Sequence, residues 1–184
     1  MLDIDTPINE SSNINNLSLE EKTPIFKLNI RGMVNNTNFT SSMRKILGIT
    51  LPTKVGSIIS KEYISVVTTG PNEWILISSN KTDDNFKLEE ILFENISKNK
   101  LGAVTNITDQ FTIFSLVGSN TFKVLSKSSP FDFDTLLNDF SAQTLLNGID
   151  VTIIKKDDNN VDLLVRRSFS KHLWLWLCDS ARFL

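Results

Sequence analysis

In residues 25–107, segments in which apolar and polar residues alternate are interspersed with segments in which apolar residues recur every three or four positions. The order of these segments constrains the fold more than any other feature of the sequence. Segment 26–34 alternates apolar with polar residues, which is typical of a half-buried strand. A short helix is predicted next, because Thr40 or Ser41 offers an N-cap to the apolar residues that follow. The remaining pattern predicts strands at 62–69, 73–78 and 103–107 and a helix at 84–97.

This order of elements, β-α-β-β-α-β, is the split unit of ferredoxin-like folds. A second half follows it, in which a charged turn separates two of the strands. We therefore predict an α+β fold, with a ferredoxin-like half followed by a mostly antiparallel half and with helices on one face. The second half is predicted to contain strands at 110–116, 142–147, 150–155 and 161–166 and helices at 120–127 and 168–182.

Residues 1–24 differ from the rest in being rich in Asn, Ser and Glu. A segment with few apolar side chains gains little from packing, so disorder is the simplest expectation. An arm that docks on a partner protein is the alternative. The predicted organisation is therefore a disordered or partner-docking tail at 1–24 and a single domain at 25–184.

Charge and apolar patterning limit the classes of partner. The net charge is -2 and the pI about 5.4, which leaves no basic excess for nucleic acid. The longest strongly apolar run, at 173–178, is far too short to span a bilayer, and the start of the sequence lacks the pattern of a signal peptide. We expect a soluble, cytoplasmic protein without nucleic-acid or membrane partners.

The residues that usually carry chemistry are sparse. No two of the seven glycines lie within five residues of each other, so no phosphate-binding glycine loop is present. His172 and Cys178 are the only histidine and cysteine, and six positions on one helix put them on different faces. Asp109, at a strand junction, is more typical of a turn than of a functional carboxylate. We predict no catalytic, cofactor-binding or metal-binding residue.

The last predicted helix is apolar on nearly all sides. Such a helix is buried on more than one side, which a domain of this size achieves with difficulty. We therefore predict a partner interface formed by Trp174 and Trp176, with Arg166 and Arg167 at its rim. The alternative is that the sheet and the 130–140 loop bury the whole helix.

Four segments, GPNEWILIS (70–78), LGITLPTKVG (47–56), 104–134 and 142–181, together resemble the gamma subunit family of heterotetrameric sarcosine oxidase. GPNEWILIS (70–78) resembles its hairpin segment, and LGITLPTKVG (47–56) its loop, with Val55 where proline is common. Residues 104–134 resemble its central stretch, and residues 142–181, which include AQTLL and RRSFSKHLWLWL, resemble its C-terminal ending. The resemblance covers residues 25–184.

The resemblance implies a fold like the folate-binding domain of the glycine-cleavage T-protein. It also implies alpha, beta and delta partner subunits, on which FAD, covalent FMN, NAD and tetrahydrofolate are expected, with no cofactor on this chain. The complex oxidises sarcosine to glycine, reduces oxygen to hydrogen peroxide and passes the one-carbon unit to tetrahydrofolate. The alternatives are the small subunit of an N-methylglutamate dehydrogenase-type complex and a free-standing folate-binding protein or aminomethyltransferase.

Overall fold

The computed structural model describes residues 6–22, 25–80 and 82–184, which form two compact α+β units. One unit is Ile25–Thr108, and the other combines Met1–Pro24 with Asp109–Leu184. The strands are β1 (Ser11–Ile14), β2 (Leu17–Glu21), β3 (Phe26–Gly32), β4 (Ile58–Lys61), β5 (Ile64–Gly70), β6 (Glu73–Ser78), β7 (Gly102–Asn106), β8 (Phe111–Val117), β9 (Phe140–Leu146), β10 (Ile149–Asp157) and β11 (Asn160–Arg166). The α-helices are α1 (Thr37–Leu47), α2 (Thr82–Leu92), α3 (Thr121–Leu125) and α4 (Ser170–Arg182).

The unit Ile25–Thr108 contains an antiparallel sheet in the order β4-β5-β6-β3-β7. Leu28 lies opposite Leu76 across β3 and β6, and Ile30 lies opposite Trp74, all four being fully buried. The apolar residues of the alternation predicted for β3 therefore face the core of this unit, because every second side chain of a strand points to the same face. Apart from the added short strand β4, the elements follow the predicted β-α-β-β-α-β order.

Helix α1 begins earlier than the predicted caps. Asn36, and neither Thr40 nor Ser41, is the N-cap, because its side-chain Oδ1 accepts the backbone N–H groups of Asn38 and Phe39. Gly48 ends the helix in the left-handed region at φ 67°, and its N–H donates to the carbonyl of Arg44. The predicted helix was correct in type, and its predicted N-cap was four to five residues too late.

Helix α2 continues as a π-helical turn, Phe93–Ser97. Leu88, Leu92 and Ile96 lie on its inner side, with Leu92 and Ile96 fully buried, whereas Ile91 is exposed. Leu88, Leu92 and Ile96 are spaced four residues apart and therefore form one narrow stripe along the helix. Ile91 lies about a quarter-turn from the middle of this stripe. The predicted apolar face was therefore right for three of its four members.

The other unit contains an antiparallel sheet in the order β1-β2-β8-β11-β10-β9. Strand β2 pairs with β8, and Leu17 and Leu19 of β2 are buried in its core. The prediction of a disordered tail is thus wrong for residues 11–21, because two alternating leucines are enough to fix a strand against a sheet. The rest of the predicted tail includes residues 1–5 and 23–24, which lie outside the described part of the chain.

The two units share one topology. In the first unit, β3 is followed by a helix, three strands, a helix and the closing strand β7, which pairs with β3. In the second, β8 is followed by a helix, three strands and a helix, and the strand beside β8 is β2, from the N-terminal segment. The predicted single domain at 25–184 is therefore replaced by two units, the second of which is closed by part of the predicted tail.

Candidate interaction surface

One side of helix α4 packs into the core of its own unit. Trp174 is only 4% exposed, and its ring centroid lies 5.4 Å from that of Phe114 on β8. Leu173 and Leu177 are fully buried, and Cys178 lies on the same inner side. The prediction that Trp174 belongs to a partner interface is therefore wrong, because this side chain fills the space beneath α4.

The opposite side of α4 carries apolar side chains that the chain itself does not cover. Trp176 lies on α4, and Phe169 and Phe183 adjoin its two ends, seven residues before and after Trp176, which places the three near one line of the helix. Phe183 is 75% exposed, Leu175 beside this line is 60% exposed, and Trp176 is half-buried against the core. We call Phe169, Leu175, Trp176 and Phe183 the α4 stripe. Exposed aromatic side chains of this kind are typical anchors of protein interfaces.

The segment that carries the α4 stripe is basic in sequence. Residues 166–184 carry four basic side chains and one acidic side chain, although the whole chain has a net charge of -2. Arg166 is exposed, and its guanidinium lies 5.6 Å from the ring centroid of Phe111. Arg167 is half-buried, and its backbone N–H donates to the carbonyl of Gln110 over 2.9 Å. The two arginines thus lie at the start of the stripe, and an acidic surface would complement them.

The end of α4 is fixed by side chains from elsewhere in the same unit. Lys127 Nζ donates to the carbonyl oxygens of Ser180 and Phe183, over 2.7 Å and 2.8 Å. Asn15 Nδ2 donates to the carbonyl of Ala181 over 2.9 Å. Because the last carbonyls of a helix have no partner within it, these contacts hold the final turn, and with it the backbone of Phe183.

The residues considered for chemistry lie apart from one another. His172 is exposed and makes a 3.1 Å contact with Asn147, whereas burial raises the pKa of the Cys178 thiol. Asp109 is exposed in a turn. Within the described ranges, no three or more His, Cys, Asp or Glu residues are grouped so that they could hold a metal ion. No helix among the same residues is long and apolar enough to cross a membrane.

A second exposed apolar surface was missed by the sequence reasoning. Phe86 on α2 and Phe93 on the following turn are 59% and 51% exposed. Both lie outside the predicted core stripe of that helix, and they stand seven residues apart with Glu90 between them. That spacing was the available signal, because large apolar residues off the core stripe of an amphipathic helix face solvent or a partner.

The described chain thus combines two α+β units with apolar helix surfaces of the kind used for protein–protein contact. Residues 31–182 match the model of the sarcosine oxidase, gamma subunit family, and the chain belongs to that family. The match covers most of both units, and it agrees with the resemblance in the motifs.

Comparison with solved structures agrees on the fold. A chain of heterotetrameric sarcosine oxidase from Corynebacterium sp. U-96, in complex with pyrrole 2-carboxylate, superposes with a TM-score of 0.81 and 22% identity, covering 94% of this chain and 87% of that chain. The aspartate kinase regulatory subunit from Thermus thermophilus has a TM-score of 0.48 and 9% identity over 93% of this chain and 99% of that chain, which carries no further conclusion. No significant match to a curated protein sequence was found.

Proposed function

We propose that this chain is a non-catalytic assembly subunit of a heterotetrameric sarcosine oxidase. The observation that carries the proposal is the family match over residues 31–182. The fold shared with a chain of such an enzyme from Corynebacterium supports it. In this proposal the complex oxidatively demethylates sarcosine to glycine and transfers the one-carbon unit to tetrahydrofolate, and this chain contributes structure to it.

The proposal assigns FAD, FMN, NAD and tetrahydrofolate to the alpha, beta and delta partner subunits and no cofactor to this chain. Aromatic side chains fill the cores of both units. Phe39 and Trp74 fill the core of the first unit with ring centroids 5.8 Å apart, and Phe114 and Trp174 fill that of the second. A T-protein-like fold is part of the proposal, and the shared topology of the two units supports it.

The α4 stripe is the proposed contact with a partner subunit. Phe169, Leu175 and Phe183 are exposed on a helix whose last turn is fixed by Asn15 and Lys127. A fixed helix presents apolar side chains without a large entropic cost on binding, which favours tight association. Arg166 and Arg167 would then form the rim of the contact, and Trp176 would lie at its inner edge.

Co-purification tests the proposal. The tagged chain is expressed together with the genes beside its own, and the eluate is analysed by mass spectrometry, visible absorbance and activity on sarcosine. We expect a yellow complex with three other subunits that oxidises sarcosine. Activity on an N-methylated amino acid other than sarcosine would identify an N-methylglutamate dehydrogenase-type complex instead. A colourless chain that elutes alone and binds tetrahydrofolate would overturn the assembly role.

A matched pair of variants tests the contact surface in the same experiment. Phe183→Asp places a charge on the α4 stripe, where burying it against a partner is costly. Leu137→Asp places the same charge at another exposed position of the same unit. We expect Phe183→Asp to release partner subunits and Leu137→Asp to retain them. Equal retention by both variants would show that the contact lies elsewhere.

A further inference from the structure

A second surface, on α2 and its π-helical continuation, has a composition of its own. Phe86 and Phe93 flank Glu90, and seven helical residues put their Cα atoms about 10 Å apart along the axis. Both phenylalanines and Glu90 are exposed. We call these three residues the α2 surface.

The α2 surface is not used by the unit that carries it. In the described part of the chain, neither Phe86 nor Phe93 stacks on another ring, and Glu90 has no ion pair or side-chain hydrogen bond. The neighbouring carboxylates differ, because Glu89 accepts from Asn106 Nδ2 at 2.7 Å and Glu94 pairs with Lys98 at 2.7 Å. Unlike Glu89 and Glu94, Glu90 can therefore be reached by an outside cation without displacing an internal partner.

The charge of this region is opposite to that around the α4 stripe. Residues 82–98 contain five acidic and two basic side chains, whereas residues 166–184 contain one acidic and four basic side chains. A partner surface that complements one of these regions repels the other, because like charges across an interface oppose association. The two surfaces therefore fit different partner surfaces.

We propose that the α2 surface binds a basic segment of a partner subunit, with an arginine held between Phe86 and Phe93 and paired with Glu90. The proposal rests on the proposed function, since it takes the occupant from the same complex. A guanidinium suits the site because it stacks on aromatic faces and pairs with a carboxylate at the same time. Aromatic residues and arginine are also enriched at the centre of protein interfaces.

The test uses the co-purified complex. The unaltered chain, Phe86→Ala/Phe93→Ala and Glu90→Lys are each expressed with the partner genes and washed at increasing NaCl concentration. Subunit stoichiometry is then measured by mass spectrometry. Tyr63→Ala is the matched control, because Tyr63 is an exposed aromatic residue in the same unit, on the connection between β4 and β5. Circular dichroism melting curves verify that each variant folds.

We expect the double variant and Glu90→Lys to retain less than a tenth of at least one partner subunit, with Tyr63→Ala unchanged. The Glu90→Gln chain is expected to bind the partner subunit more weakly, and its binding should depend less on the NaCl concentration. The reason is that glutamine keeps the shape of the glutamate side chain and removes its charge. Full retention of every subunit by the double variant would overturn the proposal and leave the assembly role intact. If the unaltered chain retains no subunit, the assembly role fails, and this proposal fails with it.

A second copy of this chain is the competing occupant, since the basic region around the α4 stripe also complements the α2 surface. Sedimentation of the unaltered chain and the double variant separates the two cases. A monomer at micromolar concentration supports a partner subunit. A dimer that the double variant abolishes would overturn the proposed occupant.

Discussion

Asn15, in the turn between β1 and β2, donates its side-chain amide to the carbonyl oxygen of Ala181 over 2.9 Å, although 166 positions separate the two residues. The contact joins the N-terminal segment to the last turn of α4. Asn120 Nδ2 in turn donates to the backbone carbonyl of Asn15, so the turn is held from both sides. The N-terminal segment is therefore part of the support of the α4 stripe.

Asn15→Ala is expected to lower the stability of the unit by about 1–2 kcal/mol, the usual cost of a lost hydrogen bond that leaves a helix carbonyl unsatisfied. Asn15 also has a φ of 46°, a left-handed conformation that asparagine tolerates better than alanine. Urea unfolding followed by tryptophan fluorescence measures the change. Asn13→Ala, at an exposed position on β1, is the control and should unfold at the midpoint of the parent. Identical midpoints for the two variants would contradict the proposed support.

Leu19→Ala should destabilise the second unit by about 2–4 kcal/mol, as truncation of a buried leucine usually does. Leu19 is fully buried on β2 and lies opposite Leu116 of β8. Glu20→Ala, at the next and exposed position of the same strand, is the control and should have little effect. The two urea midpoints decide the matter, because a dispensable tail would give the same value for both variants.

Most strands of residues 25–184 could be predicted from the sequence, because the spacing of their apolar residues specifies them. Strand β6 occupies the predicted residues 73–78, and the remaining strands of residues 25–184 lie within a few positions of their predicted places, apart from the short β4. Strand β2 was missed because the prediction for residues 1–24 rested on their polar composition and not on the positions of the two leucines. Two leucines in a polar segment suffice once β8 offers them a place to pair, and that place is set by long-range structure.

The orientation of α4 could not be predicted for a different reason. Phe169, Leu173, Trp176 and Leu177 form an apolar line, but so do Leu173, Trp174, Leu177 and Cys178. Periodicity does not choose between two apolar lines that share members. The choice is made by the ring of Phe114, which offers Trp174 a packing partner within the sheet. The α2 surface was missed because only core-spaced residues were considered.

Glu73 should make the stability of the first unit depend on acidic pH. Its Oε1 accepts hydrogen bonds from Asn29 Nδ2 at 2.7 Å and from Arg31 Nη2 at 2.8 Å. The hydrogen bond from Asn29 lowers the pKa of Glu73 most, and the contacts with Arg31 lower it further. A carboxyl group whose pKa is lowered in the folded state stabilises the fold at pH values above the ordinary glutamate pKa. This stabilisation is lost as the pH falls through the lowered pKa. Glu73→Gln should therefore cost about 0.5–1 kcal/mol at neutral pH, as for a partly exposed ion pair.

The difference between Glu73→Gln and the parent should shrink below the ordinary glutamate pKa and vanish once Glu73 is protonated in the folded state. Urea midpoints measured from neutral pH down to pH about 3 follow this change. Glu62→Gln, at an exposed turn of the same unit, is the control and should follow the parent throughout. A difference that stays constant with pH would show that shape, and not charge, explains the cost.

Cys178 should react slowly with thiol reagents in the folded chain. Burial raises the pKa of its thiol, despite a hydrogen bond with Ser12 that acts in the opposite direction, so little thiolate forms near neutral pH. Reaction with a disulfide reagent is expected to be roughly tenfold slower, or more, than in denaturant, since both access and thiolate are reduced. Leu175→Cys in a Cys178→Ala background provides an exposed thiol on the same helix. Equal rates for the two thiols would contradict the burial of Cys178.

Trp174→Ala and Trp176→Ala should separate the two sides of α4. Trp174 is buried against Phe114, so its removal should cost about 3–5 kcal/mol of stability, which urea unfolding measures. Trp176 is only half-buried, so its removal should cost less stability and also weaken the retention of partner subunits in the co-purification experiment. If Trp176→Ala assembles normally and only its stability falls, the α4 stripe is not the contact. Loss of assembly in a variant that still folds at the working temperature would identify that side of α4 as the surface on which a partner subunit rests.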